Sequence, residues 1–250
     1  PPDYLLKKWE WKENNLPEIK EQKIFSLIEN KSFSYKQIIL KLLSNPSIAS
    51  KRWIYTQYDS QVQLNTVFKP GESDAAVIRL REQNTINKRK VFSGVAASVD
   101  CNSRWVSLDP FRGTVAAVAE SARNVSCVGA EPVAITNNLN FSSPETEIGY
   151  WQLSSSCNGI SEACKALETP VTGGNVSLYN ESKNIDNEIT PINPTPVIGM
   201  VGKLDNVEKA ISSEWKNIDD QIWLIGSHKS ETTIAASSYL EYFHGEITGR

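Results

Sequence analysis

Residues 113–136 read GTVAAVAESARNVSCVGAEPVAIT, and this stretch decides the fold class. Its first part predicts a helix of small residues over 114–128, opened by Gly113 and closed by Gly129, because glycine is common just past a helix end. Apolar residues spaced by three or four give this helix one face that belongs in a core, formed by Val115, Val118, Ala122 and Val125. The last part, over 133–136, predicts a strand.

The sequence around this stretch alternates between strand and helix patterns. A long helix is predicted over 144–167, with Pro144 in its first turn. A further strand over 221–226 and a helix over 232–243 indicate the start of another domain. Other strands are predicted over 75–80, 91–99, 171–179 and 196–204. Such alternation is typical of an α/β (α+β) protein with a mixed sheet packed with helices.

The first 50 residues have a different pattern and predict a helical connector. A helix is expected from Pro17. A second helix is capped by Ser34 and ends at Asn45-Pro46, because the residue before proline avoids the helical region.

Composition excludes several classes of protein. The chain has 250 residues, 40% of them apolar and 22% charged, which is ordinary for a globular protein. No apolar run approaches the roughly 20 residues that span a bilayer. The formal net charge of −3 gives no general attraction to nucleic acid or to an anionic membrane. We therefore expect neither as a partner.

Methionine is rare in this chain. Met200 is the single one, and the sequence starts at Pro1-Pro2-Asp3. We therefore expect an internal piece of a longer polypeptide.

The cysteines and histidines do not suggest a metal centre. No two cysteines form a Cys-x-x-Cys pair, so we expect small buried apolar side chains in a reducing compartment rather than disulfides or zinc ligands. The histidines, His228 and His244, are too few for a histidine-rich site. The four cysteines are Cys101, Cys127, Cys157 and Cys164.

Two polar clusters lie beside predicted strands. Asp74 follows a Gly-Glu-Ser turn, where an acidic residue can ligate a cation or simply shape the turn. Asn137, Asn138 and Asn140 follow an apolar strand, although asparagine is a poor strand residue. Ligands of α/β proteins gather at such strand ends, but a network of Asx turns would explain the same residues.

A third cluster lies on the predicted helix over 114–128. Glu120 and Asn124 are four residues apart and therefore share a face. Two oxygen donors one turn apart suit Mg²⁺. The alternative is that Glu120 pairs with Arg123 or Arg104.

The fourth cluster, residues 172–180, reads TGGNVSLYN. Its two glycines let backbone amides approach a phosphate closely. Asn175 and Ser177 are two residues apart, so on a strand both point to the same side, an amide oxygen for Mg²⁺ beside a hydroxyl for a phosphate. The Gly-Lys-Ser/Thr ending of a Walker loop is absent, and a β-bulge is the alternative.

These motifs, taken in order, resemble the phosphoribosylformylglycinamidine synthase family of purine biosynthesis. The resemblance covers roughly residues 35–225 and includes the blocks Ser50-Lys51-Arg52-Trp53 and Asn175-Val176-Ser177-Leu178. Further matching blocks are 74–77, 100–102, 108–110, 117–124, 128–132 and 194–202. Stand-alone kinases of the same superfamily lack the first two blocks and are disfavoured.

The resemblance implies a fold and a domain plan. The family has two fused halves, each an AIR-synthetase (PurM) N-domain followed by a C-domain. The chain is similar to the second half of the small-type synthetase subunit. We expect a linker over 1–50, the second N-domain with an ATP site over 51–206, and the beginning of the second C-domain over 207–250.

The resemblance also implies an activity, that of an ATP-dependent C–N ligase. The family converts formylglycinamide ribonucleotide (FGAR) and glutamine-derived ammonia to formylglycinamidine ribonucleotide, using ATP and Mg²⁺. Its implied partners are FGAR, the first half of the same synthetase, a glutaminase subunit and a small bridging subunit, in the cytoplasm. The fragment alone is expected to be inactive.

Residue roles follow from the same resemblance. Gly174 matches a nucleotide-contacting glycine, Asn175 a Mg²⁺ ligand and Ser177 a substrate contact. Asn137 stands where the family has a nucleotide-contacting aspartate, and it keeps an acceptor oxygen without the charge. No residue of this chain matches the family's catalytic histidine, which lies in the first half of the synthetase.

The third cluster has a separate counterpart in the family. The resemblance aligns Asp74, Glu120 and Asn124 with metal ligands of an auxiliary nucleotide site in large-type enzymes. In the small type, the alternative is that these residues have only a structural role.

Two functions of different class therefore remain. The chain is either a catalytic part of the ligase or a non-catalytic nucleotide-binding half that holds the pseudo-dimer together.

Overall fold

The computed structural model describes residues 33–226, 234 and 236–249. Two compact units emerge among them, one formed by 59–212 and the other by 33–58 with the described part of 213–249. The domain boundaries expected from the family resemblance stay a prediction.

The first unit is built on a five-stranded mixed sheet whose strand order is β1-β2-β7-β3-β4. All neighbouring pairs are antiparallel except β3 and β4, which are parallel. The strands and the two-stranded sheet beside them are β1 (Ala76–Ile86), β2 (Arg89–Asp100), β3 (Glu131–Asn140), β4 (Val171–Ser177), β5 (Glu181–Lys183), β6 (Ile189–Pro191) and β7 (Thr195–Leu204).

Helices cover one face of this sheet. Their bounds, with those of the second unit, are α1 (Tyr35–Ser44), α2 (Arg52–Tyr55), α3 (Ser103–Leu108), α4 (Pro110–Cys127), α5 (Glu147–Ala166) and α6 (Ser238–His244), and 3₁₀ turns span Val62–Leu64 and Val207–Lys209. α4 packs on β2, β3 and β7, and α5 packs beside α4. The α/β (α+β) class predicted from the sequence is confirmed.

The core lies between α4, α5 and the sheet. Val118 and Val125 of α4 are fully buried against Ile135, Ile198 and Met200 of the strands. Each such side chain stabilises the fold by about 1.5–3 kcal/mol when it leaves water. Val115 is partly buried and Ala122 buried, so the predicted inner face of this helix is confirmed.

The opposite face of the sheet is open. Strand side chains alternate between faces, so the residues between the core positions point away from the helices. Ile78 on β1 and Val99 on β2 are 50% and 72% exposed there. The unit thus presents one covered and one uncovered sheet face.

Several element ends differ from the sequence prediction. α4 begins at Pro110, not at Thr114, because the side chain of Asp109 caps Arg112 N and Pro110 takes the first turn. α5 begins at Glu147 under a Thr146 cap, so Pro144 precedes it. β1 and β2 extend into a hairpin that turns at Asn87 and Lys88, both at positive φ. Local capping and turn chemistry decided these ends.

The second unit corrects two predictions and confirms one. Residues 221–226 form no strand, because a strand needs a neighbour to receive its backbone hydrogen bonds and none pairs with them in the described part. The helix predicted over 232–243 is observed as α6 from Ser238. α1 has the predicted Ser34 cap and ends before Asn45, whose backbone is extended. The helix predicted from Pro17 and the position of His228 lie outside the described residues.

Two of the cysteines also differ from expectation. All four cysteines are free thiols, but Cys127 and Cys157 are exposed rather than buried, because they lie on the outer faces of α4 and α5. His244 is the half-buried last residue of α6.

Candidate functional site

The predicted site residues meet where β3 and β4 run side by side. The parallel register pairs Asn137 with Gly174, Asn138 with Asn175, and Asn140 with Ser177. The three asparagines therefore lie within β3 and not after it. Paired residues point to the same face, and neighbours along a strand point to opposite faces. Asn137 with Gly174 thus faces the helices, whereas Asn175 and Ser177 share the open face, as their spacing predicts.

On the helix side, Asn137 lies directly over Gly174. A Cβ added at Gly174 would collide with the Asn137 amide oxygen and would lie 2.7 Å from its backbone oxygen. Adjacent Gly173 has nothing within 4 Å of such a Cβ. Gly174 is therefore required by the close approach of Asn137, and Gly173 is not.

Asn137 also lines a cavity of about 540 Å³ between α5 and the sheet. Small-molecule pockets are commonly of about 300–1,000 Å³, mostly apolar and with a few polar groups. Asn137 supplies an amide at the edge of this one, with Gly174 beside it. The remaining lining is mainly from α5 and the segment leading to β4, including Cys157, Ile160, Cys164, Lys165, Pro170 and Val171.

On the open side, the Asn175 amide is oriented by its neighbour. Asn175 Nδ2 donates to Asn138 Oδ1 at 3.3 Å. This leaves the Asn175 amide oxygen directed away from the pair, where it can serve as a ligand for a hard cation. The Asn175 amide oxygen is suited to be one ligand of a Mg²⁺ ion. The remaining ligands of that ion would be oxygens of phosphate, water or other side chains.

Ser177 lies at the end of β4 in contact with Asn180. Ser177 Oγ is 3.2 Å from Asn180 Oδ1, and Asn180 Nδ2 donates to the carbonyl oxygens of Ser177 and Phe141. The half-buried Ser177 hydroxyl is therefore held at a fixed place on the open face.

A second polar group lies at the end of β2. Asp100 accepts hydrogen bonds from Ser121 Oγ at 2.7 Å and from Asn124 Nδ2 at 3.0 Å. Asp74, Asp100 and Asn124 line a separate cavity of about 410 Å³. Glu120 and Asn124 share a face of α4, as their spacing predicts, and Asn124 also binds Asp100.

Glu120 acts on a neighbouring thiol. Burial, then the negative charge of Glu120 and that of Asp100, raises the pKa of Cys101 to about 11. A thiol in this position stays protonated at neutral pH. Within the described ranges, no three or more His, Cys, Asp or Glu side chains are grouped so that they could hold a metal ion. The proposed role of Asp74, Glu120 and Asn124 as metal ligands stays a prediction.

Sequence reasoning assigned Asp100, Asn138 and Asn180 no role of their own, although all three lie in clusters or blocks that it pointed to. Each acts through a partner that is remote in sequence or across a turn, as with Asn138 and Asn175, 37 residues apart. The available signal was position alone, because Asp100 follows an apolar strand and Asn138 and Asn180 lie in the two asparagine-bearing clusters.

Residues 72–204 match the family model described as AIR synthase related protein, N-terminal domain. The chain belongs to the AIR synthase related family. The match spans the whole five-stranded sheet, and it contains every candidate site residue. The fold implied by the sequence resemblance is therefore confirmed.

Individual relatives agree with this family. The chain is 92% identical over its full length to the phosphoribosylformylglycinamidine synthase subunit PurL of Prochlorococcus marinus strain MIT 9312, of which it covers 32%. The sequence resemblance to that synthase family is confirmed. The chain spans about a third of the length of the curated relatives that it matches.

Solved structures of a more distant relative show the same fold. Thermotoga maritima PurL complexed with ATP is 34% identical, with a TM-score of 0.53 over 65% of this chain and 24% of that one. Thermotoga maritima PurL complexed with FGAR is 34% identical, with a TM-score of 0.50 over 65% of this chain and 24% of that one.

None of the described helices is both long enough and apolar enough to cross a membrane.

Proposed function

We propose that this chain is a catalytic part of an ATP-dependent ligase that converts FGAR and glutamine-derived ammonia to formylglycinamidine ribonucleotide. The observation that carries the proposal is the register of β3 and β4, which pairs Asn137 with Gly174 on the helix face of the edge strand β4 and aligns Asn175 and Ser177 on its open face. The relatives bound to ATP and to FGAR support the two ligands.

The proposed chemistry has two steps. The amide oxygen of FGAR attacks the γ-phosphorus of ATP, and ADP leaves. Ammonia then adds to the activated carbon, and phosphate leaves to give the amidine. Phosphoryl transfer depends mainly on positioning and on charge neutralisation, so the chain needs oxygen and amide ligands more than a nucleophile.

Each site residue has one proposed role. Asn137 and Gly174 contact the nucleotide at the edge strand β4, where a ligand can reach residues of both faces. Asn175 supplies an amide oxygen to Mg²⁺, which would neutralise phosphate charge when bound. Ser177 contacts FGAR. The family aspartate is replaced by Asn137, so the contact there is a neutral hydrogen bond rather than a charged one.

The other polar group is proposed to be structural. Asp100 already accepts bonds from Ser121 and Asn124, and Asp74 is exposed on a separate turn. These contacts favour a role for Asn124 in fixing β2 against α4, and we assign Asp74 and Glu120 to the structure as well rather than to an auxiliary metal site.

The partners are proposals as well. They are the first half of the same synthetase, which would carry the catalytic histidine, a glutaminase subunit and a small bridging subunit. A cytoplasmic location stays a prediction from the family resemblance.

The second candidate function is a non-catalytic nucleotide-binding half that holds the pseudo-dimer together. It is favoured by the exposed position of Asn175 on the edge strand β4.

Asn175→Ala separates the two functions. The test uses a chimaeric subunit in which this chain replaces the matching segment of the Prochlorococcus marinus MIT 9312 relative. If Asn175 binds the catalytic Mg²⁺, ammonia-dependent turnover should fall by about 100-fold or more, corresponding to about 2.7 kcal/mol. An unchanged melting temperature would show that folding is intact. Turnover within about twofold of the parent would favour the non-catalytic half.

Gly174→Ala tests the nucleotide contact. The new methyl group displaces the Asn137 amide, so the KM for ATP should rise by about tenfold or more in the chimaeric subunit. Gly173→Ala is the matched control, because its methyl group meets open space and should leave that KM unchanged. Equal effects of the two variants would contradict nucleotide binding at Asn137.

A further inference from the structure

The turn after β4 is held by Asn180, to which the proposed function assigns no role. Asn180 Nδ2 donates to Ser177 O at 2.8 Å and to Phe141 O at 3.2 Å. The backbone N–H of Asn180 donates to Phe141 O at 3.1 Å. Asn180 therefore ties the end of β4 to the end of β3.

The same turn contains a backbone conformation that costs free energy. Tyr179 has a φ of 60°, in the left-handed region that side chains with a Cβ avoid by about 1–2 kcal/mol. Its hydroxyl donates to Glu145 Oε1 at 3.0 Å, and Glu181 Oε1 accepts from Ser143 N at 2.9 Å. Such strain persists where surrounding contacts over-determine it, which is common at functional sites.

The contacts of Asn180 decide which end of its amide faces Ser177. The Ser177 and Phe141 carbonyl oxygens can only accept, so the amide nitrogen must face them. The amide oxygen then lies 3.2 Å from Ser177 Oγ and accepts the hydroxyl hydrogen. The amide nitrogen is also within hydrogen-bond distance of Oγ, at 3.1 Å. Ser177 Oγ thus gives its hydrogen to Asn180 and keeps at least one lone pair for a ligand.

We propose that Asn180 is a positioning residue that orients the Ser177 hydroxyl, so that Ser177 meets the amide substrate as a hydrogen-bond acceptor. The substrate group opposite Ser177 is then an N–H or O–H donor and not a phosphate oxygen, which at neutral pH only accepts. The inference rests on the proposed function, in which Ser177 contacts the substrate.

Steady-state kinetics of the chimaeric subunit, with ammonia as the nitrogen source, test this inference. Ser177→Ala and Asn180→Ala should each raise the KM for FGAR about tenfold, because each removes one oriented hydrogen bond. The KM for ATP should stay within about twofold of the parent. The double variant should be no worse than the worse single variant, because Asn180 acts through Ser177. Effects that multiply in the double variant would overturn the proposal.

Ser177→Thr provides a rescue test that does not depend on the folding of Asn180→Ala. Threonine keeps a hydroxyl that can donate to Asn180 Oδ1, so the KM for FGAR should stay within about threefold of the parent. A rise as large as that of Ser177→Ala would refute the contact of the oriented hydroxyl with the substrate.

A matched control separates stability from orientation. Asn184 accepts the backbone N–H groups of Asp186 and Glu188 in the turn between β5 and β6. Asn184→Ala should lower the melting temperature and leave both KM values unchanged. If Ser177→Ala itself leaves the KM for FGAR unchanged, the proposed substrate contact fails. If only Asn180→Ala leaves it unchanged, the orienting role alone fails.

Discussion

At the scale of single residues, hydrogen bonding decides what each polar group can offer. Asn124 points its amide nitrogen at Asp100, and Asn175 points its own at Asn138. The first pair closes on itself between β2 and α4, whereas the second leaves an oxygen facing the open side of the sheet. The same residue type therefore serves the structure in one place and suits a ligand in the other.

Two thiols close to α4 have different environments and therefore different chemistry. Cys101 is half-buried beside Glu120 and Asp100, with a pKa raised to about 11, whereas Cys127 is exposed. At pH 8 a thiol with that pKa is only about 0.1% thiolate, the reactive form. We expect Cys127 to react with iodoacetamide at least about tenfold faster than Cys101, measured by mass spectrometry of peptides. Equal rates would contradict the environment described for Cys101.

At the scale of elements, close packing of α4 on the sheet explains the small residues on both sides. A Cβ added at Gly202 of β7 would collide with Val125 of α4 and would lie 3.1 Å from Ala130 Cβ. Ser98 of β2 donates to the Ser121 carbonyl oxygen at 3.0 Å, which joins the strand to the same helix. α4 approaches the sheet this closely because the strands beneath it carry small side chains.

A charge placed in this contact should unfold the unit. Val118 is fully buried, so Val118→Asp buries a carboxylate without a partner and should lower the free energy of unfolding by more than about 3 kcal/mol. Urea denaturation measures the loss. Arg123→Asp puts the same side chain on the exposed face of α4 and should change stability by about 0.5 kcal/mol or less. A soluble and cooperatively folding Val118→Asp variant would refute the placement of α4.

At the scale of the molecule, the five-stranded sheet has one covered and one uncovered face. Exposed Ile78 and Val99 lie on the uncovered face, the face that also carries Asn175 and Ser177, but on β1 and β2 at the other end of the sheet from β4. Apolar surface of this kind marks a site of association. A ligand site on the same face would be completed by whatever covers it.

The purified 250-residue chain should therefore behave as an incomplete enzyme. It supplies only part of the proposed contacts, and each 1.4 kcal/mol of lost contact lowers affinity about tenfold. We expect weak Mg²⁺-ATP binding by calorimetry, no ammonia-dependent turnover, and self-association by light scattering. Val99→Lys should reduce the association, whereas Ser126→Lys on the helix side should not. Turnover by the purified chain would show that the other half is dispensable.

The sequence by itself determined the family, the α/β (α+β) class and the inner face of α4. These features are local. The apolar spacing of Val118, Ala122 and Val125 lies within α4, and the Ser34 cap acts on the first turn of α1. Motifs such as Asn175-Val176-Ser177-Leu178 are equally local, and a run of them in order identifies a family without knowledge of any contact.

Only the tertiary structure decided which polar groups meet. The register of β3 and β4 pairs residues 37 apart, and it places Asn137 over Gly174 on one face and Asn138 beside Asn175 on the other. The tertiary structure also brings Asn124 into contact with Asp100, which lies 24 residues away in the sequence. Spacing along one element shows which face a residue shares. The partner across the sheet depends on strand pairing, which is determined by long-range packing and not by the local pattern.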